Sequence, residues 1–227
     1  MELLIDSSDV SKINKLIDLY PIDGVTTNPT IIAKERKPFL SLMKELEEIV
    51  GDKMFHVQIL SVTCTDMVKE AFYLNENLNG NVFIKVPVIP EGIKAIKLLQ
   101  KEGIKTTATA VITPQQALMA AKAGANYVAP YVNRVSNLSV DGVQVVRDIV
   151  RLLKTYELPT KVVGASFKNV DQINQISLSG THAITASPEM IEAMQDHLLT
   201  DWSVQQFSSD WKKVYGVDHI REANDSL

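Results

Sequence analysis

The chain has 227 residues, 45% of them hydrophobic and 22% charged, with a formal net charge of −4. That is enough for one sizeable core of ordinary globular composition. The charge leaves no footprint for nucleic acid and no basic face for an anionic membrane, although a local cluster of Lys and Arg would still take an anionic substrate.

Taken in chain order, short runs rich in Val, Ile and Thr alternate with amphipathic segments. The start, MELLIDSSDV, is acidic and has no basic region followed by a long apolar core, so no signal peptide is expected. Strands are predicted at residues 3–6 (LLID), 24–28 (GVTTN), 55–59 (FHVQI), 82–88 (VFIKVPV), 106–111 (TTATAV), 127–132 (YVAPYV), 161–167 (KVVGASF) and 183–187 (AITAS). Between them lie helical patterns such as SKINKLIDLY, PFLSLMKELEEIV, PEGIKAIKLLQKEG and TPQQALMAAKAGA, with apolar residues three and four apart. Pro90 and Pro114 stand where first-turn prolines belong, and Gly103 and Gly124 where terminating glycines belong. The one cysteine, Cys64, excludes an internal disulfide and reads as a small residue at a helix start. It also fits a reducing compartment, and a cytoplasmic location is expected. No run approaches the roughly 18 apolar residues that would span a bilayer.

Strands alternating with helices imply right-handed βαβ units and a parallel sheet. Eight such units point to a closed (β/α)8 TIM barrel, an α/β fold. An open doubly wound sheet would announce a glycine-rich phosphate loop after its first strand, and here that strand ends in Asp6-Ser7-Ser8-Asp9. Residues 1–227 read as one barrel domain. Residues 199–216 form an extra C-terminal helix carrying Trp202, Phe207, Trp211 and Tyr215. The polar tail, residues 217–227, is expected to fray.

Barrel active sites are built at the C-terminal ends of the strands. Polar residues gather there strand by strand: Asp6; Thr26, Thr27 and Asn28; Gln58; Lys85; Thr109; Tyr131, Asn133 and Arg134; Ser166 and Lys168; Thr185 and Ser187. Lys85 is the sharpest of these, because it sits mid-strand among apolar neighbours. Lysine is depleted in strands and almost never buried without a partner. A snorkelling lysine on an edge strand is the bland alternative, and a closed barrel has no edge. Desolvation favours the neutral amine, which can attack a ketone carbonyl and form a Schiff base.

Asp6 is read as a group facing the barrel mouth, since Ser7, Ser8 and Asp9 can cap the next helix instead. Asn28 precedes Pro29, so capping explains it as well as ligand binding does. Gln58 and Thr109 can hold a water, and Tyr131 carries a phenol that can move a proton. Arg134, Ser166 and Lys168, after adjacent strands, suit a phosphate. The four histidines, His56, His182, His197 and His219, are scattered, which argues against a metal centre. No GxSxG elbow is present.

Four segments, GVTTNPT (24–30), IKVPV (84–88), APYVNR (129–134) and ASFK (165–168), resemble the transaldolase family, in particular its small-subunit branch, which includes fructose-6-phosphate aldolase. The resemblance runs from Met1 to about Gly216. It implies Schiff-base chemistry at Lys85, donor contacts from Asp6, Thr26, Asn28 and Ser166, and phosphate contacts from Arg134 and Lys168. It implies no cofactor. It further implies a homo-oligomer, a pentamer or decamer, with the C-terminal helix packed on a neighbour, although burial on its own barrel would look the same in sequence. Transaldolases of the family carry Glu on strand three and Phe on strand six. Gln58 and Tyr131 here follow the aldolase pattern, as does Lys168. Thr107, Ala108 and Ile112 depart from it and bear on acceptor preference.

The expected reaction is therefore reversible cleavage of fructose 6-phosphate to dihydroxyacetone and glyceraldehyde 3-phosphate. Tyr131 would act as acid/base through a water held with Gln58 and Thr109. The first alternative is a transaldolase of the pentose phosphate pathway that passes the dihydroxyacetone unit to erythrose 4-phosphate. The second is a binding protein on an inactive barrel.

Overall fold

A computed structural model describes residues 1–223. Eight parallel strands close into a barrel in the order β1 to β8, each hydrogen-bonded to its sequence neighbours and β1 to β8. The eight-unit expectation is met at every strand. The elements in chain order are β1 (Glu2–Asp6), α1 (Val10–Leu19), β2 (Gly24–Thr26), α2 (Pro29–Lys34), α3 (Phe39–Val50), β3 (Met54–Gln58), α4 (Cys64–Asn77), β4 (Asn81–Pro87), α5 (Pro90–Lys101) and β5 (Thr106–Val111). They continue with α6 (Pro114–Lys122), β6 (Tyr127–Pro130), α7 (Val132–Ser136), α8 (Gly142–Thr155), β7 (Lys161–Gly164), α9 (Val170–Ser177), β8 (Ala183–Ala186), α10 (Pro188–Gln195) and α11 (Leu198–Tyr215).

The local signals explain most boundaries. Asp9, Asn28, Thr63, Thr113, Asp141 and Asn169 each cap a helix by accepting from a backbone N–H two or three residues on. Thr113 and Gln116 form a reciprocal capping box ahead of α6. Pro90 and Pro114 open their helices, where a missing N–H costs nothing. Cys64 is buried as the first residue of α4. At Gly92, in the first turn of α5, the helix lies against the end of β4, and a Cβ would collide with the Pro87 carbonyl.

Strand alternation splits the core into two layers. Outward residues Ile5, Val25, Val57, Ile84 and Val86 are fully or almost fully buried, as are the helix residues Leu42, Met43, Leu46, Ile96 and Leu99 of the outer layer. Each such side chain contributes roughly 1.5–3 kcal/mol by leaving water. Inward residues Leu4, Met54, Phe83, Tyr127, Ala129, Val163 and Ala183 plug the lower barrel. That apolar plug leaves the polar inward positions at the opposite, C-terminal ends of the strands.

Two strand ends depart from regular geometry. β5 carries a register shift against β6 between Ala108 and Val111, and Ala110 there has φ 59°. Ser166, just past β7, has φ 64°. Bulges and left-handed residues of this kind re-aim side chains beside sites.

The barrel unit runs from Met1 to Met190, and a second unit begins at Ile191. The second unit contains α11, one residue longer at its start than expected and ended by Gly216 in the left-handed conformation. No residue of α11 is buried, and Leu198, Trp202 and Phe207 are exposed, while Trp211 and Tyr215 stack at 4.2 Å. In the tail, Ile220–Glu222 forms a short 3-10 turn, and residues 224–227 lie outside the described residues. No helix among the described residues is long and apolar enough to cross a membrane.

Candidate active site

The mouth is built by the inward alternation of the strands. Register places Asp6 opposite Thr26, Lys85 opposite Gln58, and Thr107 opposite Lys85. A cavity of about 150 Å³ opens among these strand ends. Its walls include Asp6, Thr26, Asn28, Lys85, Tyr131, Arg134, Ser166 and Thr185, all expected from sequence. His56, Thr107, Ala129, Val163 and Ala165 complete it. A larger cavity, about 490 Å³, lies at the other end of the strands, between Phe83, Lys105, Tyr127 and Lys161, and holds none of the expected residues.

Lys85 is buried, and its ammonium nitrogen donates to the Thr27 carbonyl at 2.6 Å. Burial pushes its pKa below the ordinary value for an amine, and the negative charge of Asp6 partly opposes this. Asp6 accepts from the Thr26 hydroxyl at 2.8 Å, and Thr26 also bonds Thr185 at 2.7 Å. This chain of partners fixes the carboxylate beside the pocket. Asn28 does both things the sequence allowed: it caps α2 through Ile31 N–H and lines the cavity.

Tyr131 and Thr109 share a hydroxyl–hydroxyl bond of 3.0 Å, which brings Thr109 to the site through Tyr131. The Arg134 guanidinium lies 4.7 Å over the Tyr131 ring, with its charge exposed at the rim. Three expected residues do not line this pocket. Gln58 lines a separate recess with Phe39, Leu60 and Tyr73, and its Oε1 is buried without a partner. Thr109 is present only at second hand. Lys168 is exposed, with its backbone N–H tied to Gln172, so that of the three residues read as suiting a phosphate only Arg134 and Ser166 line the cavity.

The residue that sequence reading passed over is His56, counted only as a scattered histidine. Its signal was strand parity: it lies two residues before Gln58 and therefore shares the inward face. Its Nδ1 bonds Thr107 Oγ1 at 2.9 Å, and its ring stacks on Phe83 at 4.6 Å. Among the described residues, no group of three His, Cys, Asp or Glu side chains is placed to hold a metal ion.

A closed eight-stranded barrel with a buried lysine, a carboxylate, a phenol and a rim arginine gathered at the C-terminal ends of its strands has the layout of a barrel enzyme. A family profile described as transaldolase/fructose-6-phosphate aldolase matches residues 3–219, and the chain belongs to that family. It is 39% identical to a probable transaldolase of Petrotoga mobilis, covering 99% of this chain and 100% of that one. It is 38% identical to a probable transaldolase of a Thermoanaerobacter species, covering 94% and 98%. It is also 38% identical to a probable fructose-6-phosphate aldolase of Streptococcus pneumoniae, covering 93% and 96%. Among solved structures, thiamine phosphate pyrophosphorylase from Pyrococcus furiosus superposes with a TM-score of 0.60 at 15% identity, over 86% of this chain and 93% of that one. That likeness is one of fold.

Proposed function

We propose that the protein is a Schiff-base aldolase that cleaves fructose 6-phosphate reversibly to dihydroxyacetone and glyceraldehyde 3-phosphate. The observation that carries this reading is the pairing of a desolvated Lys85 with the Tyr131 phenol in one cavity.

Lys85 adds through its neutral amine to the ketose C2, and loss of water with uptake of one proton leaves a protonated imine, the proton being returned when the imine is hydrolysed. Removal of the C4 hydroxyl proton lets the C3–C4 electrons flow into that imine. The aldehyde departs and an enamine remains. Protonation at C3 and hydrolysis of the imine free dihydroxyacetone and restore the amine. Asp6 balances the iminium charge. Tyr131, with Thr109 on its hydroxyl, is the proton carrier for C3 and the C4 oxygen, directly or through one water.

A transaldolase stops at the enamine and passes it to a second aldehyde. Relatives with each of the two names lie at the same distance, so the choice between them rests on Tyr131, whose phenol on the cavity wall can protonate the enamine carbon. A product assay with fructose 6-phosphate separates the two. Free dihydroxyacetone in the absence of erythrose 4-phosphate supports the aldolase, and turnover only when erythrose 4-phosphate is added overturns it.

Arg134 is assigned the phosphate of the aldehyde half. Arg134→Ala is expected to lower kcat/KM for glyceraldehyde 3-phosphate by about ten- to a hundredfold, the loss of a charge-assisted contact of about 1.5–3 kcal/mol. Unphosphorylated glyceraldehyde should be nearly unaffected. Equal losses for both aldehydes would remove Arg134 from phosphate binding.

The exposed apolar residues of α11 support a homo-oligomer in which this helix meets a neighbouring copy, in a pentamer or decamer. Light scattering reads this directly, and a single-chain mass in solution counts against it. The same reading places the enzyme in the cytoplasm. Cell fractionation tests that, and recovery outside the cytosolic fraction counts against it.

A further inference from the structure

His56 is a buried polar side chain on the pocket wall that the aldol mechanism above does not use. It is completely buried, its Nδ1 is taken by Thr107, and its Nε2 has no hydrogen-bond partner. Such atoms are uncommon in folded proteins and ask for an explanation. The ring is held on both sides, stacked on Phe83 and met edge-on by Tyr127 at 5.4 Å. It is neutral: burial first, and then the charge of Lys85, hold its pKa down to about 3. A neutral imidazole has one donor and one acceptor nitrogen, and Thr107 occupies only one of them.

His56 lines the cavity, and its position along the barrel says which part of it. Gln58 is level with Lys85 in register, and His56 lies one inward step below Gln58, toward the barrel interior. Thr107 is level with Lys85 on the other side. Arg134 stands at the mouth, past the end of β6. A ketose held by Lys85 with its phosphate end toward Arg134 therefore points its other end down, toward His56 and Thr107. Of the other wall residues, Ala129, Val163 and Ala165 are apolar, and Asn28 and Ser166 stand past the ends of β2 and β7, nearer the mouth. On the far wall, Thr26 and Thr185 are already engaged with each other and Asp6.

We propose that His56, positioned by Thr107, is a specificity-determining residue that hydrogen-bonds the hydroxyl on the non-reacting terminal carbon of the ketone donor. The donor class is then a hydroxymethyl ketone, and a methyl ketone at that end leaves Nε2 dry and unpaired. Thr107, one of the departures from the aldolase pattern, thereby acts on the donor and not on the acceptor. The inference rests on the Schiff-base reading above.

The test compares dihydroxyacetone with hydroxyacetone, which carries a methyl at that carbon, in addition to glyceraldehyde 3-phosphate. The quantity read is the ratio of the two kcat/KM values. The unaltered enzyme is expected to favour dihydroxyacetone. His56→Phe, which preserves the stack on Phe83, is expected to lower the ratio about tenfold or more, because a site built for a hydroxyl discriminates sharply against its absence. Thr107→Val leaves the ring in place without its partner. It is expected to move the ratio the same way, and it serves if His56→Phe does not fold. An unchanged ratio in the folded variants, with Lys85 still trapped by borohydride in the unaltered enzyme, overturns the role of His56. No trapped adduct on Lys85 and no product from either donor overturns the underlying aldolase reading instead.

Discussion

Lys85→Met is expected to abolish aldol cleavage while leaving the barrel at least as stable as before. Methionine is unbranched, of similar length and adaptable in irregular space, so it fits the buried path of the lysine chain. It cannot form an imine. Loss of a covalent nucleophile typically costs on the order of 10⁴-fold or more in kcat. Thermal melting should not fall, because a desolvated amine is replaced by an apolar chain, at the loss of one donor to the Thr27 carbonyl. In the unaltered enzyme, dihydroxyacetone with borohydride should fix a mass adduct on Lys85, and EDTA should leave the rate unchanged. An adduct on a different lysine, appreciable cleavage by Lys85→Met, or activity that zinc restores would each sink the mechanism.

Tyr131→Phe should change the outcome of the reaction rather than its first step. Cleavage to the enamine leaves a carbon that must be protonated before dihydroxyacetone can leave. Phenylalanine has no proton to give, and it also strips Thr109 of its hydroxyl partner. A well-placed proton donor is worth about 10²–10⁴ in rate, so steady release of dihydroxyacetone should fall by that order. The enamine then waits for an aldehyde, and transfer to erythrose 4-phosphate should become the larger flux. Adding Gln58→Glu puts a carboxylate on the strand position in register with Lys85, and once its side chain swings from the recess toward the pocket it should raise transfer further. An unchanged release-to-transfer ratio in the double variant, or an unaltered enzyme that already prefers transfer, would assign the protein to the transaldolase side of its family.

The barrel was legible because its signals are local. Each strand is a short apolar run, and Asp9, Pro90 and the pair Thr113-Pro114 each stand at or next to the first residue of a helix. Short helices were harder. α7, α9 and α10 span only 5, 8 and 8 residues, too few turns for a 3.6-residue period to stand out, whereas α2, of 6 residues, is announced by Asn28-Pro29. Strand ends were overextended at residues 27–28, 131–132 and 165–167, because the same apolar or polar run continues past the last ladder pair into a loop. In the site, position at the strand C-termini located Asp6 and Thr26, and the apolar neighbours of Lys85 located the lysine; all three follow the inward face of their strands. Parity could not tell which way a long side chain bends: Gln58 has the right face and turns into a separate recess. Lys168 follows the left-handed Ser166, and no residue pattern announces where a chain points after such a turn. His56 was within reach of the parity argument and was lost only because histidines were weighed as metal ligands.

Ala110 and Ser166 have a bearing on how this mouth can be re-engineered. Both occupy a backbone region that disfavours most L-residues, by roughly 1–2 kcal/mol against the ordinary conformation. Libraries that randomise the rim for a new substrate would therefore meet two selections at once. At most rim positions, survivors would differ with the aldehyde on which they are screened. At Ala110, survivors would converge on glycine, asparagine and aspartate whatever the aldehyde, whereas at Ser166, which also lines the cavity, backbone preference and substrate would act together. Such convergence reports the shape of the chain and carries no information about substrate choice.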